Sequence, residues 1–294
     1  MGQSLASASP VAREVFEKAD SALGMRLASL CFEGPEEELR LTANTQPAIL
    51  ATSIATLKAF EERGGRADFV AGHSLGEYAA LVAAGSLKFE DALHIVRKRG
   101  LFMQEAVPEG EGAMAALLGC DIETVRSVCV EASELGVCSP ANINTPGQAV
   151  IAGHRSAVER AVELAKAKGA RKAVMLAVSA PFHCELMKPA AERLEPVLSE
   201  VEFSDLSVPL VTNVDAQVIR SGSEARDALL RQVASPVLWS ESVKRLLDEG
   251  VTRFIELGPG KVLSSLVKQM SREVQLLNIE DAQSLDTAVA ALEI

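Results

Sequence analysis

Helical and strand-like spacings alternate along most of the chain. Leu50, Ile54, Leu57 and Phe60 recur at helical spacing, so 45–62 is predicted as a helix that Gly64-Gly65 ends. Ser9-Pro10 ahead of Val11 predicts a capped helix over 11–23. The apolar run 67–71 is predicted as a strand, followed by a glycine-flanked turn, a helix over 77–84 and an amphipathic helix over 89–104. The texture then changes. A strand at 112–118, a helix at 121–134, two strands within 136–152 around Asn144-Thr145-Pro146-Gly147, a helix at 156–168 and a strand at 171–178 follow in turn. That β-α-β-β-α-β order is ferredoxin-like. Helix 186–198, strand 207–213, helix 240–249, strand 252–257 and helix 261–270, the last after Gly258-Pro259-Gly260, complete the reading. The pattern predicts an α/β protein: a hydrolase-like large subdomain with a parallel sheet, formed by 1–109 and 179–294, with a ferredoxin-like small subdomain, 110–178, inserted into it. No apolar strand precedes Val11, although doubly wound domains often begin with one. Either the sheet starts later or the chain is missing its first strand.

Composition narrows the function classes. The chain has 294 residues, 48% hydrophobic and 23% charged, which suits a globular protein with ample core. A net charge of -11 disfavours nucleic acid as a partner. No apolar run is long enough to span a membrane, and the N-terminus lacks a signal-peptide pattern. Five cysteines without metal-ligand spacing fit reduced thiols in a cytoplasmic protein better than disulfides or a metal centre. No metal and no cofactor are expected.

The candidate chemistry centres on Gly72-His73-Ser74-Leu75-Gly76. Gly-x-Ser-x-Gly alone is moderately specific, but here it links a predicted strand to a predicted helix, the setting of a nucleophile elbow. The glycines permit a tight turn that holds the serine out at an unusual backbone angle. The helix start behind Leu75 offers N–H groups to an oxyanion. Of four histidines, His73 should point away from Ser74 and pack structurally, His94 lies within a helix, and His154 falls in a polar turn of the small subdomain. His183, in Ser179-Ala180-Pro181-Phe182-His183, sits on a loop that re-enters the large subdomain and is the candidate general base.

The chain resembles the malonyl-CoA:acyl-carrier-protein transacylases of dissociated fatty-acid synthesis. The resemblance is carried by Gly72-His73-Ser74-Leu75-Gly76-Glu77-Tyr78, the stretches 99–108, 142–148 and 256–263, Ala180-Pro181-Phe182-His183-Cys184, and 232–239 from Gln232 to Trp239, in the family's order over nearly the whole chain. It implies a ping-pong transfer of malonyl from coenzyme A to the phosphopantetheine thiol of acyl-carrier protein, in fatty-acid or polyketide synthesis; a monomer is expected. By resemblance Ser74 is the nucleophile, His183 the base, and Arg99 the partner of malonate's free carboxylate. A guanidinium suits that task because it grips a carboxylate with two parallel hydrogen bonds. The resemblance also makes Gln232 the residue whose carbonyl orients His183, and Leu75 a backbone oxyanion donor. Phe182 resembles the malonyl-selective form of the loop, where a ring crowds an α-methyl group, a discrimination of about 1–3 kcal/mol.

One family feature is absent. The Pro-Gly-Gln-Gly-Ser-Gln loop that supplies the second oxyanion donor is not in this sequence, and Gln3 does not replace it, because Ser9-Pro10-Val11-Ala12-Arg13-Glu14 aligns with the family's first helix. The chain as written is expected to start later than its relatives and to be weakly active, since losing one such donor costs about 10²–10³ in turnover. Restoring the strand and loop should raise transfer sharply. Two other readings stand beside this one: a serine esterase or thioesterase, which leaves Arg99 unexplained, and a non-catalytic binder of carrier protein.

Overall fold

The computed structural model describes residues 1–178 and 180–293, so Ser179, where the large subdomain was expected to resume, and Ile294 lie outside the described residues. The expected α/β architecture is present, with a helical body carrying parallel pairings and a ferredoxin-like insertion. At its centre lies the helix Thr42–Glu62, which buries Leu50, Ile54 and Phe60 against the helices Pro10–Leu23, Gly76–Ala83 and Phe89–Glu105. Thr52 and Thr56 reach into the same buried surface by hydrogen-bonding the carbonyls one turn back, Ala48 and Thr52, at 2.8 Å each. Ser9 caps Pro10–Leu23 by accepting from Ala12 N.

The insertion is a four-stranded antiparallel sheet running Cys138–Thr145, Gln148–His154, Gly112–Leu118, Lys172–Met175 from edge to edge. The two-residue period assigns its faces. Ala113, Ala115 and Leu117 pack with Val125, Val128, Val158 and Ala161 of the helices Ile122–Ala132 and Arg155–Ala167. Met114 and Ala116 point the other way, toward Cys184, Phe182 and Leu186. Both faces are covered, which explains why Gly112–Leu118 is apolar throughout. One edge of this sheet is tied to the large subdomain, where Ile143 N donates to Val237 O and Val237 N to Ala141 O, both at 2.9 Å.

The large sheet is more fragmented than its pattern predicts. Residues 67–71 make one parallel bridge, Val70 to Leu210, and the predicted strand 207–213 pairs only over Leu210–Val211, with Val218–Ile219. Arg253–Leu257 pairs in parallel with Gln275–Ile279. Between Val70 and Ile255 lies a largely apolar cavity of about 1080 Å3, so neither run has a second neighbour to pair with on that side. The predicted strand 171–178 is shorter too: its ladder with Gly112–Leu118 covers Lys172–Met175, and Leu176 N adds one further bond to Met114 O at 2.8 Å. The residues before Val11 form a helix, Gln3–Ala8. Among the described residues no helix is long and apolar enough to cross a membrane.

Candidate active site

The elbow is built by one crowded glycine and one strained serine. A Cβ on Gly72 would lie 2.0 Å from the backbone C and O of Gly76, so the turn closes only around a bare Cα. Gly76 differs, since a Cβ there meets nothing within 4 Å. Ser74 itself takes the left-handed conformation, φ 52°, and His183 does the same at φ 59°. Such backbone costs about 1–3 kcal/mol per residue and persists only where neighbours over-determine it. Here Asn213 does so for Ser74: its Oδ1 accepts from Ser74 N at 2.6 Å and its amide donates to Gly72 O at 2.7 Å.

The structure brings Ser74, His183, Arg99 and Gln232 together. Ser74 Oγ is 2.7 Å from His183 Nε2, and His183 Nδ1 is 2.9 Å from the backbone carbonyl of Gln232. A carbonyl only accepts, so Nδ1 carries the proton and Nε2 is free to take the one from Ser74. Burial first, then the positive charge of Arg99, pushes the His183 imidazole down to about 3. The base is therefore neutral in the resting site across the physiological range. We predict that the His183 ring resonances of the free protein do not titrate between about pH 8 and 5, whereas an unperturbed histidine titrates near 6.5. A ring midpoint near 6.5 would contradict the buried geometry. The linked stability has a fixed sign: the unfolded chain binds the extra proton, so this contribution is lost as pH falls from about 6.5 toward 3.

Arg99 is the unusual charge. It is 2% exposed, on the helix Phe89–Glu105, and makes no ion pair among the described residues. Its guanidinium donates to Gln46 Oε1 at 2.8 Å, Gln232 Oε1 at 2.9 Å and Ser74 Oγ at 3.0 Å, and its centre lies 5.5 Å from the Tyr78 ring centroid. Its Nε is buried without a hydrogen-bond partner. A buried cation without a counter-ion is costly. Next to a nucleophile it makes a ready receptor for an acyl group that brings its own carboxylate.

Leu75 N–H has no hydrogen-bond partner among the described residues and lies at the start of the helix Gly76–Ala83. Phe182 is half-buried beside His183 and packs against both the large core and the inner face of the small sheet. Of the other histidines, His73 bonds Asn144 Oδ1 at 2.9 Å and leans on Trp239, and burial lowers its pKa. His94 is exposed on its helix. His154 is not in a polar turn but ends the strand Gln148–His154, where its Nδ1 accepts from Val137 N because the neighbouring loop runs alongside. No cluster of described residues could hold a metal ion.

Three site residues escape sequence reasoning: Gln46, Asn213 and Glu77. Asn213 ends the predicted strand 207–213 and Glu77 stands inside the elbow motif, signals that could have found these two; Gln46 carries none.

The family described as "Acyl transferase domain" matches residues 1–289. The malonyl CoA-acyl carrier protein transacylase of Bacillus subtilis (strain 168) is 51% identical over 294 residues, covering 100% of this chain and 93% of the relative. That of Escherichia coli (strain K12) is 47% identical over 291 residues, covering 99% and 93%. Among solved structures, the malonyl CoA-acyl carrier protein transacylase of Coxiella burnetii superposes with a TM-score of 0.97 at 42% identity, covering 99% of this chain and 93% of that one. A malonyl-transacylase in complex with a type II PKS acyl-carrier protein superposes with a TM-score of 0.96 at 46% identity, covering 99% and 94%. The chain belongs to the acyl transferase domain family.

Proposed function

We propose that this protein transfers malonyl from malonyl-CoA to the phosphopantetheine thiol of acyl-carrier protein through an ester on Ser74. The relatives named for that reaction support it, and so does the related transacylase found with its carrier protein. Ser74 Oγ attacks the thioester carbonyl while His183 Nε2 takes its proton. The tetrahedral oxyanion receives the Leu75 N–H. Collapse expels coenzyme A as the thiol, with the proton returned by His183, and the carrier thiol then repeats the sequence on the acyl-enzyme. The Gln232 backbone carbonyl keeps Nδ1 protonated throughout. Phe182 crowds an α-methyl beside the base. We place the division into subdomains at 110–178 and the reaction in the cytoplasm, where five free cysteines are at home.

The observation that carries this reading is Arg99, a buried cation without an ion pair, 3.0 Å from the nucleophile. Malonate's carboxylate is two carbons from Oγ in the ester, within reach of that guanidinium. The Arg99→Ala variant should lose about 10²–10³ in kcat/KM for malonyl-CoA, the scale of one buried charge pair. Transfer from acetyl-CoA, which has no carboxylate to pair, should fall by about tenfold or less on the same arithmetic. Equal loss with both substrates would make Arg99 structural.

A further inference from the structure

We propose that Glu77 is a positioning residue: it ties Gln232 and Asn213 into one clamp that holds Ser74, His183 and Arg99 in register. The proposal rests on reading Ser74 and His183 as the acylating pair.

Glu77 lies in the first turn of the helix Gly76–Ala83 and is 1% exposed. Its Oε2 accepts from Gln232 Nε2 at 2.7 Å and from Asn213 N at 3.1 Å. These two neighbours divide the site between them. Asn213 holds the elbow through Ser74 N and Gly72 O. Gln232 holds the rest: its amide donates to Ser74 O at 3.0 Å, its Oε1 receives Arg99, and its backbone carbonyl receives His183. One carboxylate thus anchors both residues through which the nucleophile, base and guanidinium are fixed.

The chemistry of the Gln232 amide makes the anchor specific. It has two N–H groups, and Ser74 O and Glu77 Oε2 take them. Without an acceptor at position 77 one buried N–H keeps only the long contact to Asn213 Oδ1, at 3.5 Å, which the amide relieves by turning. Turning carries Oε1 away from Arg99 and loosens the carbonyl that sets the His183 tautomer. Burial pushes the Glu77 carboxyl up to about 7, against the hydrogen bonds from Gln232 and Asn213 and the attraction of Arg99. An apolar side chain would fill this space without that cost, so packing alone does not account for an acid here.

The test uses the whole chain with E77Q, E77D and S74A as variants. Acylation by malonyl-CoA is followed in a single turnover, with the downfield Nδ1–H proton of His183 read by NMR. E77Q keeps an acceptor oxygen and should acylate within about fivefold of wild type. E77D keeps the charge but is one methylene short. It should lose about tenfold to a hundredfold in the acylation rate at saturating substrate, with KM moved less than about threefold, since a misplacement near 1 Å costs about that much. The His183 proton signal should weaken or shift in E77D and remain in E77Q. A folded E77D with the wild-type rate and proton signal would overturn the proposal, as would E77Q losing as much as E77D. S74A separates the two levels: labelling that survives S74A removes the acyl-enzyme reading itself, whereas labelling lost in S74A but untouched in E77D removes Glu77 alone.

Discussion

Ser74→Ala should lower malonyl transfer by about 10⁵-fold or more and leave the protein folded. Removing the nucleophile of a serine triad costs about 10⁶ in turnover, because the remaining groups have nothing to act on. At about 1.4 kcal/mol per decade the loss is about 7–8 kcal/mol of transition-state stabilisation. The site should otherwise persist. Ser74 is held through its backbone, by Asn213 and Gln232, and these contacts do not need the hydroxyl. His183 keeps its bond to the Gln232 carbonyl, and Arg99 keeps Gln46 and Gln232. The melting temperature should therefore move by less than about 4 °C, the equivalent of roughly 1 kcal/mol. Steady-state transfer and a thermal melt on the same preparation check both halves. More than a few per cent of residual activity in a clean preparation would remove Ser74 from the mechanism.

Gly72→Ala should be nearly as damaging for a different reason. The added methyl meets the Gly76 carbonyl at 2.0 Å and the Glu77 N at 2.7 Å, and both are backbone that cannot swing aside. Relief requires the elbow to open, which shifts Ser74 away from His183 and Leu75 N–H away from the oxyanion. A displacement near 1 Å costs about 10²-fold in rate, and forced overpacking typically adds about 1–3 kcal/mol of destabilisation. Gly76→Ala is the matched control. Its Cβ meets nothing within 4 Å, and the position begins a helix, so activity should hold and stability should rise by up to about 1 kcal/mol. Melts and transfer rates on the two variants decide the matter, and equal damage from both would refute the close-approach account of Gly72.

The same contrast explains what the sequence could and could not disclose. Gly-x-Ser-x-Gly pointed to two glycines in equivalent roles, yet only Gly72 is required by space, a distinction set by where the chain folds Gly76 O back against it. Ser74, His183 and Arg99 were legible because their chemical types match a reaction and their motifs match a family. Gln46, Asn213 and Glu77 were not, because they work through partners distant in sequence: 53 residues separate Gln46 from Arg99, 139 separate Asn213 from Ser74, and 155 separate Glu77 from Gln232. The insertion was legible almost element by element, since its hairpins and crossovers pair segments near in sequence. The large sheet was less so. Apolar runs at 67–71 and 207–213 report burial, but pairing depends on what lies alongside, and only Val70 and Leu210 bridge. The helices Gly222–Gln232 and Ala282–Leu292 went unpredicted despite side-chain caps at Ser221 and Asp281, signals that the apolar pattern had overshadowed.

The most direct measurement is the mass spectrum of the protein and its proteolytic peptides after brief incubation with malonyl-CoA alone. This account predicts one malonyl adduct per chain, on the peptide containing Ser74, which disappears when acyl-carrier protein bearing a free phosphopantetheine thiol is added and reappears on the carrier. Absence of any adduct, or an adduct on a residue other than Ser74, would contradict it.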